Sequence, residues 1–417
     1  MEDLLLLAHR IPYPPNKGDK LRSYNLLRML VRHYRVHLGA FVDDPSDLCH
    51  RPVLEDLCAE VMLPRLHPKP ARVASLRGLA TGAPLSLAYY AHAGLRRWVA
   101  QRIAAGVRHI VVFSSAMAPY AEPHTHCRRV ADMVDVDSAK WSAYGAETAG
   151  PLGWIYRREG RRLAAYERRI ARSFDATLFV SQAEADCFLE GAPETAPRVH
   201  AAGNGVDTDF FDPDGDFATP FQGEGPVLVF TGAMDYRPNV DAVVWFAGEV
   251  LPRLQQLRPG VRFCIVGGNP APAVQRLAQQ PGIQVTGRVP DVRPYLACAD
   301  VAVAPLRIAR GIQNKVLEAM AMARPVVCTP AALEGIEARP GEHLQVASDP
   351  AELAACIDEL LGSPERRASL GRAARARLLE RYRWERQLAP VLALLAGVPP
   401  GGGEDYAGEA SDGLVPR

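Results

Sequence analysis

The 417-residue chain carries almost no surplus of charge: 48 Lys and Arg stand against 47 Asp and Glu, a formal net charge of +1. A chain-wide electrostatic attraction to nucleic acid is thereby excluded, and any basic partner surface has to be local. Long apolar runs are also missing. The opening stretch Met1 to Leu7 is too short to span a bilayer and lacks the basic leader and cleavage site of a signal peptide, which predicts a cytoplasmic chain with at most peripheral contact on the inner face of the cell membrane. Paired cysteines are absent too. The eight cysteines, from Cys49 to Cys356, stand singly and several lie in apolar runs, so structural zinc and dithiol chemistry are not expected and the thiols read as reduced and mostly buried.

What is present is length and alternation. A chain of this size exceeds the usual limit of one hydrophobic core, so two domains are expected. Short β-rich runs alternate with helical patterns throughout, the pattern of βαβ units and parallel sheets. In the first half the expected strands are Leu4–Ala8, Val36–Phe41, Ile110–Phe113, Val130–Val134 and Ala176–Val180, with a helix over Leu21–His33. In the second half they are Val227–Phe230, Phe263–Val266, Ile283–Thr286, Val301–Ala304, Val326–Cys328 and Leu344–Val346. Between them Gly203-Asn204-Gly205-Val206-Asp207 opens a stretch rich in Pro, Asp and Gly that reads as a linker. The expected division is a Rossmann-like domain over 1–203, a second one over 204–375, a helix over 376–396 returning to the first domain, and a flexible tail over 397–417. The tail ends in Leu414-Val415-Pro416-Arg417, which resembles a protease-site remnant. Two doubly wound parallel sheets facing a crevice bind ligands outside the carboxyl ends of their strands.

The segment richest in chemistry follows Val301–Ala304 and runs from Arg307 through Arg310, Gly311, Asn314, Lys315 and Glu318 to Ala321. A strand, a glycine turn and a helix start occur in that order. A helix beginning near Ile312 directs free backbone amides and the positive end of its dipole at a diphosphate. Gly311 permits close backbone approach. Lys315 and Glu318, three apart, share a face that puts a cation by the phosphates and a carboxylate one turn deeper, within reach of ribose hydroxyls. An ordinary surface helix with an ordinary Lys and Glu would show the same spacing.

At these residues the sequence resembles the retaining GT-B glycosyltransferases, the glycosyl transferase group 1 or family 4-like enzymes. Glu318-Ala319-Met320-Ala321 matches the second half of their Glu, seven residues, Glu motif, while the first Glu falls on Arg310. The resemblance covers most of residues 1 to 390 and is nearest to the sugar transferases that accompany exosortase systems in exopolysaccharide loci. It is carried by Arg10 to Lys20, Asp135 to Trp141, Asn204 to Asp207 and Thr231 to Asn239. The resemblance implies a hexosyltransferase-type enzyme that needs no cofactor and takes a UDP- or GDP-type nucleotide sugar as donor. The acceptor it implies is a saccharide or a polyprenyl diphosphate-linked one. It implies donor contacts from Gly18, Gly232, Arg237, Arg288, Val289, Arg310, Gly311, Asn314, Lys315 and Glu318, with Ala233 and Asn239 standing near the places where many relatives hold a phosphate-gripping Arg and Lys. If configuration is retained, the leaving diphosphate stabilises the cationic sugar, Lys315, Arg310 and Arg237 neutralise it, and no histidine base is required. A nucleotide-sugar epimerase of the same fold and a catalytically silent nucleotide-sugar-binding subunit stand as alternatives.

Asp135 and Asp137 follow an apolar strand and face the same crevice. They read as carboxylates contacting the acceptor or the reacting sugar, as a metal-holding pair, or as caps of the following helix together with Ser138. Metal binding is the disfavoured reading. His124-Thr125-His126 reads as a surface turn and Asp212 to Asp216 as linker rather than as a calcium loop. From Arg157 to Arg172 seven arginines fall on one side of a helical plot, opposite Ile155, Leu163, Tyr166 and Ile170. That face, with Arg157, Arg161 and Arg168 as its docking residues, is expected to point outward and to dock on an anionic membrane or on a polyprenyl diphosphate-linked acceptor, unless it is simply a solvated surface. A Leu-rich helix over Glu380 to Leu395 is expected to cross back to the first domain and act with the linker as a hinge.

Overall fold

In the computed structural model, which describes residues 1–15, 17–75, 78–79, 82–309 and 311–399, the chain folds into two units. One holds Met1–Asn204 and the segment from Glu385 onward, and the other holds Gly205–Trp384. The helix Pro364–Arg381 runs without a break through residue 376 and lies in the second unit, while the helix Trp384–Leu395 begins at the crossing and buries Leu388, Val391 and Leu395 in the first. Arg32 pairs with Glu385 across 3.3 Å and Arg128 Nε donates to the carbonyl of Leu394 at 2.9 Å, which ties this helix to its unit.

The first unit is built on a parallel sheet in which β1 (Glu2–Ala8), β2 (Tyr34–Ala40), β3 (Glu60–Met62), β4 (His109–Phe113), β5 (Arg128–Val134), β6 (Ala176–Phe179) and β7 (Val199–Ala201) take the order β3-β2-β1-β4-β5-β6-β7. A strand covered on both faces reads as an unbroken apolar run rather than an alternating one. Leu4, Leu5, Leu6 and Leu7 of β1 are accordingly all fully buried. The second unit repeats the plan with β8 (Val227–Thr231), β9 (Arg262–Val266), β10 (Ile283–Gly287), β11 (Val301–Ala304), β12 (Val326–Cys328) and β13 (Gln345–Val346), ordered β10-β9-β8-β11-β12-β13 and again parallel.

All eleven strands expected from the sequence are present, with ends moved by at most two residues. The two not foreseen, β3 and β7, have three residues each and sit at opposite edges of the first sheet, too short to display a period. The expected helix over Leu21–His33 occupies Gly18–Leu30 instead. Lys20 and Arg22 of its first two turns point inward. Lys20 pairs with Asp47 at 2.6 Å, and Arg22 pairs with Asp132 of β5 at 2.9 Å.

Candidate active site

In each sheet the strand order reverses once, between β1 and β4 in the first and between β8 and β11 in the second. Loops leaving two such strands diverge in opposite directions, which opens a ligand-sized crevice beyond their carboxyl ends.

In the second unit, Gly232 follows β8 directly, and its amide donates to the Val266 carbonyl at 3.0 Å. A Cβ on Gly267 would lie 1.7 Å from the Gly232 oxygen, so only glycine lets the loops after β8 and β9 press together. Asn239 secures the first of these loops from beneath. It is buried, its Nδ2 donates to the Ala233 carbonyl at 2.9 Å, and its Oδ1 is left buried with no hydrogen-bond partner. A side chain at position 232 would lie 2.7 Å from Asn239 Nδ2 and 3.4 Å from Lys315 Cε, so the bare glycine leaves open the space where these two side chains meet.

Lys315 and Glu318 come from the helix Asn314–Ala321, which starts two residues later than expected. No side chain caps it at Gln313, although the Val316 amide already donates to the Gln313 carbonyl at 3.0 Å, so an anion at this end would meet the amides of Asn314 and Lys315. Gly311 has φ +66°, a conformation that costs glycine nothing, and Gln313 folds back to donate to the Gly311 carbonyl at 3.0 Å. The Lys315 ammonium stands 5.6 Å from the centre of the Phe230 ring and donates to Gln313 Oε1 at 3.2 Å. Burial pushes Lys315 down to about 8 against the opposing field of Glu318, and burial raises Glu318 against the opposing field of Lys315. Two partly desolvated opposite charges held next to amides describe a site prepared for a polar ligand.

Of the other residues the sequence singled out here, Asn314 is exposed at the first helical position, Arg288 is exposed against Gly268, and Val289 packs on the core. Arg310 lies outside the described residues. Arg237 opens the helix Arg237–Trp245 but lines a separate hollow of about 550 Å³ with Trp245, Glu249 and Arg307. Arg307, not singled out from the sequence, grips Asp241 at 3.0 Å through Nε and lies over Trp245 at 5.4 Å, which fastens the strand-to-helix loop to the helix after Gly232.

In the first unit, Gly18 begins its helix with open space on its side-chain side. Asp19 takes hydrogen bonds from Arg10 and from the Lys20 amide, and Arg10 Nε also donates to Asp43 at 2.9 Å. Burial works against the charge on Asp19, but the hydrogen bond from His9 and the guanidinium of Arg10 hold its carboxylate at about 2. Asp135 and Asp137 follow a strained corner: Val134 has φ +69°, unusual for a β-branched residue, where the β5–β6 register shifts. Neither Asp137 nor Ser138 caps the helix Asp137–Glu147. Glu167 instead accepts from the Ser138 amide at 3.2 Å and its hydroxyl at 2.6 Å. Lys140 bridges the aspartates, 2.5 Å from Asp135 and 3.9 Å from Asp137, and burial raises the Asp137 carboxyl.

The arginine face corrects the sequence reading. Arg158 is buried and donates to the carbonyls of Gly78 and Ala83, so it points inward rather than outward. Arg168 and Arg172 both bond Glu194, Arg169 pairs with Glu122, and Arg157 donates to the Gly145 carbonyl. Arg161 stays exposed, near Leu152 and Trp154 in sequence, which are about half exposed. His9, which the sequence reading passed over, stands at the carboxyl end of β1 beside the strand-order reversal.

Comparison with known proteins agrees with this architecture. Residues 225–363 match the family model described as glycosyl transferases group 1. A GDP-mannose-dependent monoacylated alpha-(1-6)-phosphatidylinositol monomannoside mannosyltransferase of Corynebacterium glutamicum is 27% identical over 241 residues, 52% of this chain and 61% of the relative. An alpha-maltose-1-phosphate synthase of Mycolicibacterium smegmatis is 29% identical over 254 residues, 52% of this chain and 62% of the relative. The matched stretch thus spans less than two thirds of either protein. Among solved structures, Anabaena Alr3699/HepE in complex with UDP and glucose superposes with a TM-score of 0.61 at 16% identity, covering 95% of this chain and 100% of that one. The chain has the GT-B fold of two Rossmann-like domains, and most of its second unit matches the group 1 glycosyl transferase family model.

Proposed function

We propose that the chain is a glycosyltransferase that moves a sugar from a UDP- or GDP-type donor to a saccharide or polyprenyl diphosphate-linked acceptor, with retention of configuration and without a metal, in exopolysaccharide assembly. The observation that carries this reading is the gathering of Lys315, Gly232 and Asn239 at the start of the helix Asn314–Ala321, at the strand-order reversal of the second sheet. The named ligands and substrates of the relatives, UDP and GDP-mannose among them, support the choice of donor.

In this reading the open amides of that helix and the Lys315 ammonium take the diphosphate, Glu318 accepts the ribose hydroxyls, and Arg288 and Val289 adjoin the base. As the bond between the sugar and the diphosphate breaks, negative charge grows on the leaving group, and groups already aimed at it lower the barrier with little reorganisation. The Lys140 ammonium, lying between Asp135 and Asp137, supplies the positive charge that a metal would otherwise bring to that pair. Gly18, with its open side, and Arg310 are proposed as further phosphate contacts, and Asp137 as a contact to the reacting sugar. Incubation with UDP-glucose, UDP-galactose, UDP-N-acetylglucosamine and GDP-mannose tests the reading by release of free nucleotide. Turnover of at least one donor is expected, and none turned over would contradict it.

No helix among the described residues is long and apolar enough to cross a membrane. We place the chain in the cytoplasm, docked peripherally through Arg161 and Trp154, which lie about two turns apart on one face of the helix Gly150–Ser173, since basic and aromatic side chains together suit an anionic lipid interface. Sedimentation with phosphatidylglycerol vesicles is expected to fall in the variant Arg161→Glu/Trp154→Ser. Equal sedimentation of variant and wild type, or equal binding to phosphatidylcholine, would remove the proposal.

A further inference from the structure

The second unit carries a hollow of about 690 Å³ at the amino ends of β11 and β12, where Asp300 and Pro325 precede the two strands, and so at the opposite edge of the sheet from the crevice. Four arginines line it. Arg324 follows the helix Asn314–Ala321, and Arg367, Arg372 and Arg375 come from the helix Pro364–Arg381, where the first and last stand about 12 Å apart along the axis. Backbone carbonyls orient three of these guanidiniums without neutralising them. Arg324 donates to the carbonyls of Met322 and Ala299 at 3.2 and 3.3 Å, Arg367 to those of Leu360 and Leu361 at 2.9 and 3.0 Å, and Arg375 to those of Phe211 and Ala321.

The positive charge is only partly answered. Arg367 pairs with Asp300 at 3.4 Å and Arg375 with Asp212 at 3.3 Å, but among the described residues Arg324 and Arg372 form no ion pair. Asp300 is further committed, since its other oxygen accepts from the Val227 amide at 2.9 Å, and Asp214 lies exposed in the lining. Burial pulls Arg324 below the ordinary arginine range against the fields of Cys298 and Asp300, and the like charge of Arg367 pulls it further. A half-buried cation beside another cation is stabilised by an anion. Shape narrows the choice of anion. A carboxylate fills one guanidinium fork, whereas a tetrahedral, doubly charged phosphate group accepts from several donors at once. Pro213, Pro325 and Leu379 add an apolar wall, and the volume leaves room for a carbon frame beyond the phosphate.

We propose that this hollow binds a small phosphate ester, of the size of a phosphorylated sugar, through Arg324 and Arg372, at a site separate from the one that Lys315 serves. The site stands whether or not the chain transfers sugar. Titration calorimetry of the full chain with inorganic phosphate, glucose 1-phosphate and glucose 6-phosphate tests it, with glucose as the uncharged control. At least one ester is expected to bind with a dissociation constant below about 1 mM, more tightly than inorganic phosphate and at least about tenfold more tightly than glucose. Arg372 is exposed on its helix, where glutamine is as good a helix former, so Arg372→Gln keeps the fold. It is expected to weaken the ester roughly tenfold, the loss of one charge-assisted hydrogen bond. Arg324→Gln should weaken it at least as much, and Lys315→Met should leave it within about twofold of wild type.

No ester bound by the wild type, or binding that survives both arginine substitutions, would overturn the site. Binding lost in Lys315→Met would do the same by placing the phosphate in the crevice, and an ester bound no more tightly than inorganic phosphate would overturn the choice of ligand. Sedimentation with phosphatidylglycerol vesicles separates a free ester from a lipid headgroup. Arg372→Gln is expected to sediment as the wild type does, and a clear fall would assign these arginines to lipid and overturn the free ester.

Discussion

Lys315→Met is expected to weaken binding of UDP or GDP, whichever the protein takes, by about 10- to 150-fold, the loss of one charge-assisted hydrogen bond of about 1.5–3 kcal/mol. Methionine keeps the apolar stem that passes Gly232 and Phe230, so the substitution removes charge and leaves packing nearly intact. Titration calorimetry reads the effect directly. The pH dependence supplies a second signature. In the free protein burial has lowered Lys315 to about 8. A diphosphate beside the ammonium favours its charged form, so binding takes up protons at and above that pH. Affinity is expected to be flat below about pH 7 and to fall as pH rises through 8, and Lys315→Met is expected to abolish the fall. An unchanged affinity in the variant would remove Lys315 from the site.

Asp132→Ala is expected to destabilise the first unit by about 3–5 kcal/mol, because it leaves the buried Arg22 guanidinium without its counter-charge. Arg22 also donates to the Gly203 carbonyl at 2.8 Å and to Asn204 Oδ1 at 3.0 Å, while its other terminal nitrogen has no partner. One guanidinium thus fastens a helix, a central strand and the point where the chain leaves the unit. At about 2–4 °C per kcal/mol for a unit of this size, the transition should drop by roughly 6–20 °C in scanning calorimetry. The double variant Arg22→Met/Asp132→Leu should recover much of the loss, since an apolar pair needs no compensation for desolvation. A melting point within a degree or two of wild type for Asp132→Ala would contradict the assignment.

The strands were legible in the sequence because a parallel sheet buried on both faces leaves unbroken apolar runs such as Leu4 to Ala8, and β3 and β7 escaped because three edge residues show no pattern. The shared face of Lys315 and Glu318 was legible for the same local reason: residues three apart on one helix share a face whatever surrounds them. Asn239 was visible only as a residue standing in place of a cation, since its buried, unpaired oxygen depends on how the loop after Gly232 closes. Helical periodicity placed the arginines of Gly150–Ser173 on one side but could not show that Glu194, Glu122 and the carbonyls of Gly78 and Ala83, all remote in sequence, would take most of them. His9 stood in plain view after the first strand. Its contacts with Asp19, Tyr90 and Phe113 are ones that only the fold creates.

A titration of the full chain with UDP, GDP, UMP and GMP tests most directly whether the start of the helix Asn314–Ala321 is a diphosphate site. One of the two diphosphates is predicted to bind at least tenfold more tightly than its own monophosphate, because open amides and the Lys315 ammonium act on the distal phosphate group. Equal affinity for diphosphate and monophosphate, or no binding of either, would contradict it.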